Sequence, residues 1–232
     1  GFLDVFISKL DNSGNFVWAK SIGGTGYEYA RGIAIDSSGN VYLTGNFHDT
    51  VDFDPGVGVA NLTSKGFSDI FISKLDGNGS FVWAKGVGGV GSDIGRSIAI
   101  DSSSNVYTTG SFYDTVDFDP SIGVFNLISV DGDNTFVSKL NSNGDFAWAK
   151  GLGKGSGAGI ALDISGNVYT TGYLVNTADF DPGIGTYNLT GSGFGEIFVS
   201  KLDGNGDFEW AKSMGGAGAD FGVAIALASN GN

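Results

Sequence analysis

Three stretches of the chain set two carboxylates two residues apart: TVDFDPG from Thr50, TVDFDPS from Thr115 and TADFDPG from Thr177. In an extended backbone side chains alternate, so Asp52 and Asp54 point to one side, roughly 6.5 Å apart along the strand, while Phe53 points to the core. The same geometry places Asp117 and Asp119 around Phe118, and Asp179 and Asp181 around Phe180. Paired carboxylates on one face repel, and calcium, a hard cation that takes oxygen ligands, would neutralise them. Asp49 and Asp114, three residues before the first member, would add ligands, whereas the third copy has Asn176 there. A structural role competes with the ion. Asp before Pro favours a β-turn in which the carboxylate accepts backbone N–H groups, and Pro55, Pro120 and Pro182 are the three prolines of the chain. A type II turn wants glycine after the proline, so Ser121 argues for type I as the common solution. That turn accounts for Asp54, Asp119 and Asp181 but leaves Asp52, Asp117 and Asp179 without a structural reason.

Other residues suited to chemistry fall at repeating positions. Lys9, Lys74, Lys139 and Lys201 recur in SKL, and Lys20, Lys85, Lys150 and Lys212 in WAK, which takes eight of the 12 cationic residues. They are either a ring of cations for an acidic ligand or stems laid over rings and paired with aspartates. The tryptophans of WAK are sugar-stacking platforms or blade-packing residues, and recurrence favours packing. Aromatics in the less regular connections, Tyr27, Tyr29, Phe112 and Tyr113, are better candidates for a ligand surface. DGNGS and DGNGD echo the start of a calcium loop but lack its twelfth-position glutamate, so they read as hairpin turns. The single His48 has no GxSxG serine motif to serve, and acid pairs repeated in every unit look architectural rather than like one asymmetric glycosidase site. No catalytic residue is assigned.

The elements that carry these residues are repeated. Trp18, Trp83, Trp148 and Trp210 lie 65, 65 and 62 residues apart. Before each comes an apolar strand, DVFISKLD, DIFISKLD, NTFVSKLN or EIFVSKLD, and after each a glycine-rich connection and a short strand, GIAID, SIAID, GIALD or AIALA. Three of these lead into VYLTGNF, VYTTGSF and VYTTGYL. Each full unit thus holds four strands rich in Val, Ile, Phe, Tyr and Thr, separated by Gly/Asn/Asp/Ser turns. The third unit is shorter by three residues in the glycine-rich connection, which predicts a surface loop there. Apolar residues on both faces of the strands predict sheets covered on both sides. Four-stranded antiparallel sheets stacked around an axis are the blades of a β-propeller.

Composition agrees with a turn-rich all-β protein: 41 glycines among 232 residues, 13% aromatic and only 16% charged. A net charge of -13 repels phosphate backbones and anionic lipid, which argues against nucleic acid as a partner. With no cysteine there is neither disulfide nor thiolate chemistry, and the apolar runs are strand-length, too short for a membrane-spanning helix. The chain starts at Gly1 without a leader and reads as a processed or excised piece of a longer product.

Units of the form GIAIDSSGNVYLTG, a variable stretch, then DIFISKLDGNGSFVWAKGVGG resemble SBBP-type β-propeller repeats, found mostly in secreted and surface proteins of bacteria. The resemblance implies the fold and an extracellular or cell-surface location, and carries over no catalytic residue. The DFDPG insert resembles a variant associated with large bacterial surface proteins. With strands named A (IAID), B (VYLTG), C (FISKL) and D (FVWAK), the chain reads C-D, three A-B-C-D sets, then A. The units are 30–94, 95–156 and 157–221, flanked by partial units 1–29 and 222–232 of one propeller domain. A segment of a larger propeller is the expectation, over a four-bladed ring lacking one B strand. The expected function is a noncatalytic scaffold for adhesion or recognition, binding glycan or protein through loops. A structural spacer in a surface assembly is the alternative, and a propeller lyase or glycosidase the third reading.

Overall fold

Four strands of alternating Val, Ile, Phe and Tyr, joined by tight Asp-initiated turns, fold back on one another to make each sheet. The computed structural model describes residues 1–191 and 194–228, so most of the terminal ASNGN lies outside the described residues. An N-terminal hairpin pairs β1 (Val5–Leu10) with β2 (Phe16–Gly24). The first blade follows as β3 (Glu28–Ile35) and β4 (Val41–Phe47), an inserted hairpin of β5 (Thr50–Asp52) and β6 (Asn61–Thr63), then β7 (Asp69–Leu75) and β8 (Phe81–Val87). Its order is β3-β4-β7-β8, all antiparallel. The second blade is built from β9 (Ile94–Ile100), β10 (Val106–Phe112), the insert β11 (Thr115–Asp117) and β12 (Asn126–Ile128), β13 (Asn134–Leu140), and the first half of β14 (Phe146–Leu162). The third uses the second half of β14, then β15 (Val168–Leu174), the insert β16 (Thr177–Asp179) and β17 (Asn188–Thr190), β18 (Glu196–Leu202) and β19 (Phe208–Met214). The described residues contain no helix, and the blades are those of a β-propeller that does not close: no strand pairing joins β1 to residues 221–228.

Two expectations need correction. The shortened connection of the third unit is not a surface loop. Losing three residues pulls the D strand of one blade directly into the A strand of the next, giving the 17-residue β14, and Gly155, Ser156 and Gly157 within it are buried. Residues Ala224–Ala228, expected as a fourth A strand, are not a strand. Gly222 N–H donates to Gly172 O at 3.1 Å and the segment lies against Gly159, but among the described residues no strand pairs with it in a ladder.

The hydrophobic core lies between blades. Tyr42, Ile70, Ile72 and Val87 of the first blade pack with Ile98, Phe112, Phe136 and Leu140 of the second, and equivalent clusters fill the boundaries on either side. Every residue of β4 and of β10 is buried, which is why these strands show no polar alternation. The tryptophans stitch the boundaries, as their recurrence predicts: indole N–H groups of Trp18, Trp83 and Trp148 donate to Gly77, Ser142 and Gly204 carbonyls at 3.2, 3.3 and 3.3 Å on the C–D turn of the following blade. Those turns are the hairpins expected from DGNG, with Gly79 at φ 78° and Asp76 Oδ1 accepting the N–H groups of Asn78 and Ser80.

Phe118 is buried between its own blade's Phe112 and Phe136, with ring centroids at 5.6 and 5.0 Å. Phe118→Ala is expected to cost about 3–5 kcal/mol in urea unfolding. Ile122→Ser, four residues away on a fully exposed hairpin tip, is expected to change stability by less than about 0.5 kcal/mol.

Candidate functional site

Each inserted hairpin belongs to one blade by sequence but leans on the D strand of the blade before it. Strand β5 extends β2 through the pairs Gly23↔Asp52 and Gly24↔Val51, and a bridge between Gly88 and Asp117 repeats this one unit later. The third insert lies against β14, where Ala178 packs on Gly153. Phe53, Phe118 and Phe180 all face the core, as the alternation predicts; Phe53 sits edge-on to Phe47 at 5.5 Å and against Phe71 at 5.1 Å.

The aspartates of the inserts hold the loops shut. Asp52 Oδ1 accepts the N–H groups of Asp54 at 3.0 Å and Ala60 at 2.8 Å, tying the start of the loop to its end. Asp117 does the same for Asp119 (3.1 Å) and Phe125 (2.8 Å), and Asp179 for Asp181 (3.0 Å) and Tyr187 (2.8 Å). The second aspartate closes the turn at the proline: Asp54 Oδ1 accepts from Gly56 at 2.7 Å, Asp119 from Ser121 at 2.9 Å and Asp181 from Gly183 at 2.8 Å. Neither Gly56 nor Gly183 has positive φ, so the turn is not type II. Asp49, Asp114 and Asn176 occupy the left-handed region at φ 59°, 66° and 60°, a conformation that Asp and Asn share, and this explains their exchange. Among the described residues no three His, Cys, Asp or Glu side chains gather as a metal site. All six paired carboxylates thus have a hydrogen-bonding role that needs no ion.

The lysines of SKL lie over tyrosine rings: Lys74 over Tyr42 at 5.0 Å, Lys139 over Tyr107 at 4.9 Å and Lys201 over Tyr169 at 5.6 Å. The WAK lysines reach the next blade, where the stems of Lys20, Lys85 and Lys150 cover Gly79, Gly144 and Gly206. A cleft of about 610 Å³ beside Lys139 is lined by Asp101, Tyr107 and Asp163, all of them repeat positions.

The A–B turns carry a denser network than their sequence suggests. Asp36 Oδ2 accepts from Asn40 Nδ2 (2.8 Å), the Tyr42 hydroxyl (3.0 Å) and, from the next blade, Ser104 Oγ (3.1 Å). Burial acts to raise the Asp36 pKa, but the hydrogen bonds from Asn40, Tyr42 and Ser104 outweigh it and hold the carboxyl at about 2. The stability this adds is complete above the ordinary aspartate pKa of about 4 and is lost as pH falls through about 2. Asp36→Ala is therefore expected to destabilise the fold by about 1–3 kcal/mol at pH 7 and to flatten the acid limb of a stability–pH profile, read by urea unfolding between pH 2 and 5.

The candidate ligand-surface aromatics separate into two groups. Phe112 is not at the surface. It ends β10 at the position of Phe47 and Leu174, is fully buried and packs on Phe118, because the B strand continues into what the sequence presents as a connection. Tyr27, Tyr29 and Tyr113 are 41%, 37% and 47% exposed. Tyr27 lies stacked between Phe2 at 5.0 Å and Tyr29 at 6.4 Å, with interplanar angles of 13° and 4°. His48 meets Tyr27 edge-on at 6.0 Å and Phe67 at 5.1 Å. This patch escapes sequence reading because it draws on three separated segments, and it is not repeated: Ser92 and Ile94 stand where the next unit would need Tyr27 and Tyr29. Also missed are the apolar tips of the inserts, Val57, Ile122 and Ile184, each fully exposed.

Residues 17–46 and 82–111 each match the family model SBBP, described as a beta-propeller repeat. Two segments of the chain thus match the SBBP repeat. Each matched SBBP segment runs from the D strand of one blade through the A strand to the B strand of the next, so the repeat unit crosses a blade boundary. An uncharacterized WD repeat-containing protein of Acanthamoeba polyphaga mimivirus is 27% identical over 231 residues, covering 87% of this chain and 17% of the relative. The regulatory protein FlaEY of Caulobacter vibrioides is 27% identical over 110 residues, 47% of this chain and 12% of the relative. The chain spans less than a fifth of the length of these curated relatives, which are named as a repeat-containing protein and a regulatory protein.

Proposed function

We propose that this chain is a noncatalytic scaffold that acts at the cell surface or outside it, in adhesion or recognition, and that the Phe2–Tyr27–Tyr29 stack is its ligand surface. The observation that carries this reading is the stack itself. The three near-parallel rings are partly exposed and absent from the neighbouring unit, and the outermost, Phe2 at 73% exposed, presents a flat apolar face on which a pyranose ring stacks, while the rest of the blade is spent on packing. Arg31 lies over the Tyr29 ring at 5.4 Å with its Nε donating to Asn46 Oδ1 at 3.0 Å, and its remaining N–H groups are donors for sugar hydroxyls. The repeat architecture and the relatives' names agree with a scaffold. A glycan is therefore the favoured ligand class, with a surface protein second through the apolar tips of Val57, Ile122 and Ile184.

A glycan array followed by titration tests this. Tyr27→Ala is expected to weaken binding at least about tenfold, by loss of roughly 1–3 kcal/mol of stacking, without moving the melting temperature by more than a few degrees. If no glycan or cell-surface protein binds the wild-type chain, the spacer reading takes its place.

A further inference from the structure

At three of the four boundaries between consecutive repeat units, two acids meet where a D strand ends: Asp4 with Glu28, Asp69 with Asp93, and Glu196 with Asp220. Each pair grips two consecutive glycines. The first acid presses on Gly23, Gly88 or Gly215, where any Cβ would collide with it. The second accepts the next N–H, Glu28 from Gly24 at 3.2 Å, Asp93 from Gly89 at 2.8 Å and Asp220 from Gly216 at 2.8 Å. A Cβ on Gly215 would meet Glu196 Oε2 and Asp220 Oδ2 together, so the two carboxylates converge on one point. The fourth boundary is different in both members at once. The shortened connection has no counterpart of Asp93, and the first position is Asn134. Both acids are present or both are absent, as for groups that share one task.

That task involves something these side chains do not supply. Asp69 is 2% exposed and Glu28 3% exposed, and each has a buried carboxylate oxygen, Asp69 Oδ1 and Glu28 Oε1, with no hydrogen-bond partner. They are the two ionisable side chains among the buried unpartnered groups of the described residues. An unsatisfied carboxylate oxygen beside a second carboxylate is costly in a low-dielectric setting. Asp93 is fully buried, and burial first, then Asp69 and Asp133, pushes its pKa up to about 6. Lys65 acts on Asp69 and Arg96 on Asp133, whereas among the described residues no salt bridge reaches Asp93.

We propose that these boundary pairs are sites for a hard divalent cation of the calcium class, with Glu28 Oε1 and Asp69 Oδ1 as ligands and the ion tying one blade to the next. The donors are all oxygen, which selects calcium over zinc, and backbone carbonyls and water complete a shell of six to eight ligands. With two carboxylates per site, affinity falls in the range of roughly 10⁻⁴–10⁻³ M found in extracellular modules.

The test starts from chelator-treated protein at pH 7.5. Calcium at 10 mM is expected to raise the melting midpoint by several degrees (at roughly tenfold or more over Kd), and terbium is expected to bind with emission sensitised by nearby aromatic rings. The double substitution Asp69→Asn with Asp93→Asn, which imitates the neutral Asn134 boundary, is expected to remove one bound ion and part of the shift. Tyr113→Phe keeps the backbone N–H that Asp93 accepts at 2.9 Å, so it leaves folding and calcium stoichiometry intact while lowering sensitised emission. This second variant locates the ion even if the first fails to fold. The proposal is overturned if calcium changes neither midpoint nor emission, including the case where the fold is stabilised only by lowering pH, which would mean a shared proton. It is equally overturned if ion binding survives the boundary substitutions and is lost instead with Asp52→Asn, Asp117→Asn and Asp179→Asn, which would assign the ion to the inserts.

Discussion

The structure depends on apolar burial between blades. A single four-stranded sheet has two apolar faces and cannot cover either; only a neighbour on each side removes them from water. Everything regular in the sequence follows from that requirement. The tryptophan must reach the C–D turn of the next blade, the lysine stem must cover that turn's glycine, and the Phe of the insert must pack on the rings that the B and C strands present. Val51 and Val116 are buried as their inserts lean back on the preceding D strand, so the same constraint governs an element that looks like decoration.

The paired aspartates show how a motif can resemble a binding site while serving the backbone. Their loops carry many N–H groups with no strand partner, and a short acidic side chain at the right position satisfies two at once. The order D-F-D-P follows: staple, anchor, turn, and a fixed φ for the turn. The boundary acids lie elsewhere, against the glycines that follow the D strands, in positions that vary between Asp and Glu and look unremarkable one by one.

The fold was legible because the repeat multiplies each weak signal by three or four. Blade strands, hairpin turns, the buried Phe53 and its copies, and the bridging tryptophans all sit where periodicity and turn chemistry place them. The sites were less legible, for definite reasons. Asp52 bonds to Ala60 across a loop whose closure no local rule reveals. Phe112 is the last residue of the VYTTGSF strand, and only its pairing with Asn134 separates it from the connection that begins at Tyr113. The ring stack of Phe2, Tyr27 and Tyr29 and the boundary acids bring together residues about 25 positions apart, a separation set by how one blade meets the next. The shortened connection misled because a three-residue deletion is ordinarily absorbed at the surface, whereas here it was absorbed by straightening buried backbone into β14.

That straightening has a mechanical side. At the other two described boundaries consecutive blades are joined through a glycine-rich bend, held by only one or two pairs to the next insert, as in Gly23↔Asp52 and Gly88↔Asp117. Between the second and third blades a single strand belongs to both sheets, paired to β13 at one end and β15 at the other. Pulling on the chain would load these two blades as one body, with tension carried along continuous backbone instead of being relieved at a joint. The array is thus not uniform along its backbone: one strand serves two sheets, whereas the other boundaries are crossed by a turn of the chain.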